Sequence, residues 1–283
     1  MKLLIEPSRK DISFFSSCDG VILPLENYAV ESHVFFSFDE IKEICQSASC
    51  EVFVKVNKNF MNEDIPMLED VLKKLDSLPI QGIFFYDLAV LQIKKNLSLK
   101  LDLVWNQTHM VNNSYTCDYY YSKGVKYAFL GKEITLEEIL EIIKKSSITS
   151  MVEVVGLPSV AFSKRKLVTH YFQDMKKEGD SSLVIHEKVS NQDYSLEENQ
   201  DGTNFFLNTV VNGTSIIADL YQGGCSYIVF LEYGLEDCFQ ELVVDTMDYI
   251  RGRCLDSSYV SKYEKLGNYT NFFFKKTVYR VKK

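Results

Sequence analysis

The chain has 283 residues, 46% of them hydrophobic and 25% charged, with a formal net charge of -8 and a pI near 5.2. That length can bury a full core, and no run approaches the roughly 20 apolar residues of a membrane span. The acidic balance excludes a protein that grips nucleic acid through its global field, so any RNA contact has to be local or shared with a partner.

Lys2 to Ser8 is an apolar run closed at Glu6-Pro7, which reads as a first strand and not as a signal peptide, and a cytoplasmic location follows. A helix-like polar segment, Arg9 to Ser17, leads to a second apolar run at Gly20 to Leu25. Ser37 stands three residues before Glu40 and forms a capping box that opens a helix with Ile41, Ile44 and Cys45 on one face. Glu51 to Val56 is a β-branched and aromatic strand that ends at Asn57. The helix after Asn62 carries its acidic residues first and Lys73 and Lys74 last, the order that complements the helix dipole. Gly82 to Tyr86 is a buried strand ended by Asp87, with LAVLQIKKNLS as its helix. Lys100 to Trp105 ends at Asn106, and a helix over Asn112 to Lys123 stops at Gly124. Lys126 to Leu130 ends at Gly131-Lys132-Glu133, Thr135 and Glu138 form a second capping box, and Ser150 to Val155 is the next strand.

These are seven strand candidates, six of them followed by a helix candidate. Regular alternation of this kind implies a parallel sheet, because parallel neighbours need crossover connections. There is no G-x-G-x-x-G loop to favour a dinucleotide fold. Polar residues recur at strand C-terminal ends, at Glu6, Asn57, Asp87, Asn106, Glu133 and Glu153, and in a barrel those positions converge on one face. The expected fold is α/β, a TIM-like β/α barrel. Residues 1–175 hold its first seven units, 176–212 a β insertion with a hairpin turn at Asp201-Gly202, and 213–283 the closing unit and a tail. In that last part Thr214 to Tyr221 and Leu235 to Ile250 are helices, and Cys225 to Leu231 is the eighth strand. The tail NYTNFFFKKTVYRVKK alternates aromatic and basic residues, a pattern shared by single-strand nucleic-acid binders and by a last strand with one buried face.

Seven scattered cysteines without a C-x-x-C pair, and four histidines without an H-E-x-x-H arrangement, give no disulfide framework and no metal site. The stretch with most chemistry is Met151 to Phe172. There a strand carrying Glu153 breaks at Gly156-Leu157-Pro158 and is followed by Ser163, Lys164, Arg165 and Lys166. Lys164 and Arg165 can bind phosphate or carboxylate oxygens through charge-assisted hydrogen bonds, and a solvated helix start accounts for the same charges. Glu133 and Glu153 can form an acid/base pair, with Asp87 as a further carboxylate. Asn57, Asn106 and His170 complete the candidate binding residues.

The order of these pieces resembles the U-32 peptidase family, the collagenase-like group. The residues that carry the likeness are K-L-L-I-E-P, V-F-V-K-V-N, Y-D-L-A-V, G-K-E-I-T-L-E-E-I, and above all Glu153 to Gly156 followed by Ser163-Lys-Arg-Lys-Leu and Tyr171-Phe172. The resemblance implies a β/α barrel with a variable C-terminal part. It also implies four cysteine ligands for an iron–sulfur cluster, and here the chain departs from the family. Ser159 and Lys166 stand at two of those positions, and the second pair is absent between Tyr171 and His186. A serine and a lysine do not replace thiolates on iron, so no iron–sulfur cluster and no other cofactor is expected in this chain. Trp105-Asn106, S-Y-T-C-D-Y (114–119) and the Ser-Lys-Arg-x-Leu turn resemble the short, cysteine-poor member of a two-gene pair in this family, linked to hydroxylation of the tRNA wobble uridine. By that resemblance the chain is an accessory subunit, its partner is the long cysteine-containing paralogue, and tRNA is reached through the complex. A peptidase and a cofactor-free binding module remain as alternatives.

Overall fold

The structure, a computed structural model, describes residues 1–11, 15–107, 110–189, 191–252 and 258–267. It opens with β1 (Lys2–Glu6) and β2 (Gly20–Pro24) and then alternates: α1 (Phe38–Ser47), β3 (Glu51–Val56), α2 (Ile65–Asp76), β4 (Gly82–Phe85), α3 (Leu88–Leu97), β5 (Leu103–Trp105), α4 (Ser114–Ser122), β6 (Tyr127–Phe129), α5 (Leu136–Lys145), β7 (Thr149–Gly156). After β7 come β8 (Ser159–Ser163), α6 (Leu167–Asp174), β9 (Ser182–Glu187), β10 (Gln192–Asn199) and β11 (Gly202–Leu207). The chain then forms β12 (Val211–Asn212), α7 (Ile217–Gln222), β13 (Tyr227–Leu231), α8 (Phe239–Ile250) and α9 (Ser258–Tyr263).

Strands β1 to β7 pair in sequence order, all parallel, and β13 closes the ring between β7 and β1. This is an eight-stranded β/α barrel. Its strands are buried on both faces, which is why they read as continuous apolar runs. Leu4, Ile22, Phe53, Phe84, Val104, Tyr127, Met151 and Val229 point inward and fill the barrel. Their sequence neighbours Leu3, Val21, Val54, Ile83, Leu103, Val152 and Ile228 pack outward under the helices. Both capping boxes form as the sequence predicts, Ser37 with Glu40 on α1 and Thr135 with Glu138 on α5.

Three expectations change. The helix expected over Arg9 to Ser17 is, among the described residues, only a single 3-10 turn at Phe15–Ser17. Its first residues are drawn out along the barrel rim, where the Ser8 N–H donates to buried Glu232 at 2.8 Å and Arg9 Nε lies 2.8 Å from the same carboxylate. The inserted sheet begins at Ser159 instead of residue 176. β8 is its edge strand in the order β8-β11-β10-β9, and α6 belongs to it. The break that starts it is Gly156, whose φ is +136° and where a Cβ would stand 2.4 Å from Leu231 Cβ, so a side chain cannot follow the chain out of the barrel here. β10 appears where no strand was expected, because QDYSLEEN has an exposed face and little apolar character. The Asp201-Gly202 hairpin joins β10 to β11 as predicted. The aromatic and basic tail from Asn268 lies outside the described residues.

The inserted sheet sits against the C-terminal end of the barrel. Asn204 Oδ1 accepts from the Glu31 N–H at 3.0 Å, Gln200 Nε2 donates to Asn27 Oδ1 at 2.7 Å, and Asp201 pairs with Lys58. It therefore holds the β2–α1 loop over the barrel mouth.

Candidate functional site

Interior side chains of a β/α barrel stack in layers drawn from alternate strands. The uppermost layer here comes from the odd strands and is polar: Glu6 on β1, Lys55 on β3, Asn106 just after β5 and Glu153 on β7. Ile22, Phe84, Phe129 and Leu231, from the intervening strands, form the apolar floor and wall beside it. Above them a cavity of about 30 Å³ is closed by Glu31, His33, Lys132, Ser159, Phe206 and Tyr233. At this size it admits a group of two or three heavy atoms.

Two ion pairs organise the polar layer. Lys55 Nζ donates to both oxygens of Glu6 at 2.9 and 2.8 Å and to Ser32 Oγ at 2.9 Å, and Ser32 in turn donates to Glu6 at 2.7 Å. Lys132 Nζ lies 3.2 Å from Glu153 Oε2 and donates to the Ser159 carbonyl at 3.2 Å. Burial pushes the Glu153 carboxyl above the usual carboxylate range against the pull of Lys132, and the charge of Glu6 adds to the rise. On the roof of the cavity His33 Nδ1 lies 2.9 Å from Glu197 Oε2, and the Tyr233 hydroxyl donates to Glu197 Oε1 at 2.8 Å. Burial raises the Glu197 carboxyl, but the contacts with His33 and Tyr233 outweigh it and hold the group below its ordinary value.

Of the residues singled out in the sequence, Glu6, Asn106 and Glu153 line this cavity. Asn57 is buried nearby, but its Oδ1 accepts the Val30 N–H at 2.9 Å and it faces the β2–α1 loop. Asp87 is the N-cap of α3, with one oxygen on the Ala89 N–H at 2.9 Å and the other on the Phe60 N–H at 3.0 Å, so both are used by backbone. Glu133 lies in the β6–α5 turn, half-buried, and is not among the residues that line the cavity. Lys164, Arg165 and His170 are exposed, on the turn after β8 and on α6, and do not line the cavity. Lys164 Nζ reaches the Asn59 carbonyl at 3.1 Å.

The cavity residues that the sequence reading did not place among its site candidates are Lys55, Lys132, His33 and Ser159. Lys55 carries a signal, since a lysine at an inward position of an apolar strand has to find a buried carboxylate. His33 and Ser159 carry none, because their places depend on the inserted sheet. Among the described residues no group of three or more His, Cys, Asp or Glu side chains is arranged to hold a metal ion. No cysteine lines the cavity.

The family model for peptidase family U32 matches residues 15–228. The chain is 26% identical over 260 residues, 84% of each sequence, to the tRNA hydroxylation protein P2 of Bacillus subtilis (strain 168). Among solved structures it is similar to the U32 peptidase Mk0906, with a TM-score of 0.52, 14% identity and coverage of 83% of this chain and 94% of that one. Orotidine 5'-monophosphate decarboxylase from Methanocaldococcus jannaschii matches with a TM-score of 0.50 at 11% identity, over 88% and 97% of the two chains. At these identities the two structures share the fold. No helix among the described residues is long and apolar enough to cross a membrane.

Proposed function

The chain belongs to peptidase family U32, and on that basis we propose that it acts in tRNA hydroxylation at the wobble uridine, as the cysteine-poor subunit of a pair. The observation that carries this reading is the similarity to tRNA hydroxylation protein P2, which runs through 84% of both sequences and so spans the barrel and the inserted sheet. The character of the mouth agrees with a subunit that leaves redox chemistry to another chain. Its lysines, Lys55 and Lys132, are paired with Glu6 and Glu153, Ser159 and Lys166 stand where the resemblance calls for thiolates, and no cysteine lines the cavity. In this reading the chain holds no iron–sulfur cluster of its own, the long cysteine-containing paralogue supplies it, and both work in the cytoplasm. Proteolysis is the weaker reading, since Glu133 stands outside the cavity and Glu153 is bound to Lys132.

The test is deletion of this gene followed by nucleoside mass spectrometry of total tRNA. The reading expects 5-hydroxyuridine derivatives to fall and a plasmid copy to restore them. Unchanged levels would contradict it.

A further inference from the structure

The cavity at the barrel mouth contains two buried polar atoms without a hydrogen-bond partner, His33 Nε2 and Ser159 Oγ. Ser159 is 4% exposed and the His33 side chain 11%. A polar atom left buried and unsatisfied is costly, and two of them, on residues from separate elements that line one cavity, point to a ligand that pairs with both.

The chemistry of that ligand follows from the tautomer of His33. Its ring is stacked on Tyr233, with centroids 3.3 Å apart and planes 12° apart, and its centroid lies 4.0 Å from that of Phe206, so it cannot rotate freely. Glu197 is ionised and accepts only, receiving the Tyr233 hydroxyl on one oxygen and His33 Nδ1 on the other. Nδ1 therefore carries a proton, and in the neutral ring Nε2 presents a lone pair. The charged and titratable groups around it are Glu31, Glu197 and Tyr233, with Glu6, Lys55, Lys132 and Glu153 lining the same cavity. Lys132 and Lys55 are each neutralised by a glutamate, which removes the excess positive charge that a phosphate would need.

We propose that His33 is an acid–base group of this cavity, whose Nε2 takes a hydrogen bond, and during reaction a proton, from a hydroxyl on a small uncharged ligand group seated against Ser159, Asn106 and Lys132. In the transfer the ligand O–H bond breaks with both electrons left on oxygen. The proton goes to Nε2, the imidazolium is held by the Glu197 carboxylate, and the Lys132 ammonium faces the new oxyanion. No electrons leave the pair, so no oxidant enters this step. Glu197 is a positioning residue that fixes the tautomer, and since it lies on β10 the inserted sheet completes the site.

Two readouts test this, the second of which rests on the tRNA reading. The first is long-range 1H–15N correlation on the full chain labelled with 15N-histidine, with the His33 signal assigned by its loss in His33→Gln. The Nδ1-protonated tautomer with a bare Nε2 is expected near pH 7.5, and Glu197→Gln should mix the tautomers. A proton on Nε2 in the wild-type chain overturns the proposal. The second uses the deletion strain with plasmid copies. His33→Phe keeps the ring stack and His33→Gln keeps a polar tip, yet both should leave tRNA hydroxylation below about a tenth of the wild-type level at equal protein abundance, within the range for loss of an acid–base group. Full restoration by His33→Phe would mean that the ring only packs and the cavity holds water alone, which also overturns it. If the wild-type plasmid itself restores nothing, the tRNA reading fails, and the tautomer decides the proposal on its own.

Discussion

Lys55 Nζ stands 2.8 and 2.9 Å from the two carboxylate oxygens of Glu6, although the two residues lie on β3 and β1, which are separated by β2. Both are nearly out of contact with water, at 7% and 9% exposure. Removing one partner leaves a charge buried without compensation, whereas removing both leaves neither charge of the pair behind. Lys55→Met should therefore lower unfolding free energy by about 3–5 kcal/mol, and adding Glu6→Leu should recover most of that loss. Urea denaturation of the single and double variants measures the coupling. A double variant as unstable as Lys55→Met alone would show that the two charges do not depend on each other.

Glu153 gives the barrel an unusual response to pH. Its carboxyl titrates above the usual range when folded, chiefly through burial, so the native state binds an extra proton between the unfolded and folded values. Stability from this group is present at low pH and is lost as pH rises through the raised value. The difference in stability between Glu153→Gln and the wild-type chain should then move in favour of the variant as pH climbs from about 4 to 8. A difference that stays flat across that span contradicts this account of the mouth.

Glu198 caps α6 from a neighbouring strand, accepting the Val168 and Thr169 N–H groups at 2.9 and 3.2 Å and the Thr203 hydroxyl at 3.2 Å. Burial raises its carboxyl, but these donors and the Thr169 hydroxyl prevail and hold it below the ordinary value. Its contribution is present above the unfolded value and lost as pH falls through the depressed one. Glu198→Gln should cost about 1 kcal/mol, felt as faster amide exchange across residues 159–207 with the barrel strands unaffected. Faster exchange throughout the barrel would mean that the inserted sheet does not open as a separate unit.

Two glycines with positive φ separate strain from collision. At Gly156 a new Cβ meets Leu231, while at Gly124, with φ +85°, it meets nothing within 4 Å. Gly124→Ala should cost only about 1 kcal/mol of backbone strain. Gly156→Ala should cost more, by at least about 1 kcal/mol, because Leu231 is held in register with Glu6. Thermal unfolding of the two variants compares them, and equal losses would dismiss the close approach at the end of β7.

The barrel was legible because each of its strands is a continuous apolar run and the helices between them carry capping boxes and ordered charge. Glu153 and Asn106 were found by the same logic, as polar groups where strands end. Asp87 satisfied that rule too, but the helix directly after it takes one of its oxygens as a cap and the Phe60 N–H of the β3–α2 loop takes the other. Lys164 and Arg165 do not line the cavity, because they follow Ser159 to Ser163, a strand of the inserted sheet that does not announce itself in the sequence. His33 meets Glu197 across 164 positions of sequence, through a sheet whose central strand is largely polar, and no local pattern encodes such a contact.

The role proposed in tRNA hydroxylation is tested most directly in a Bacillus subtilis strain lacking tRNA hydroxylation protein P2, carrying this chain on a plasmid alone and together with the cysteine-containing partner proposed for it. Nucleoside mass spectrometry of the tRNA should show wobble 5-hydroxyuridine derivatives returning, at the least when the two chains are expressed together. If they stay absent with both chains folded and present, the barrel and its mouth stand but the tRNA role does not.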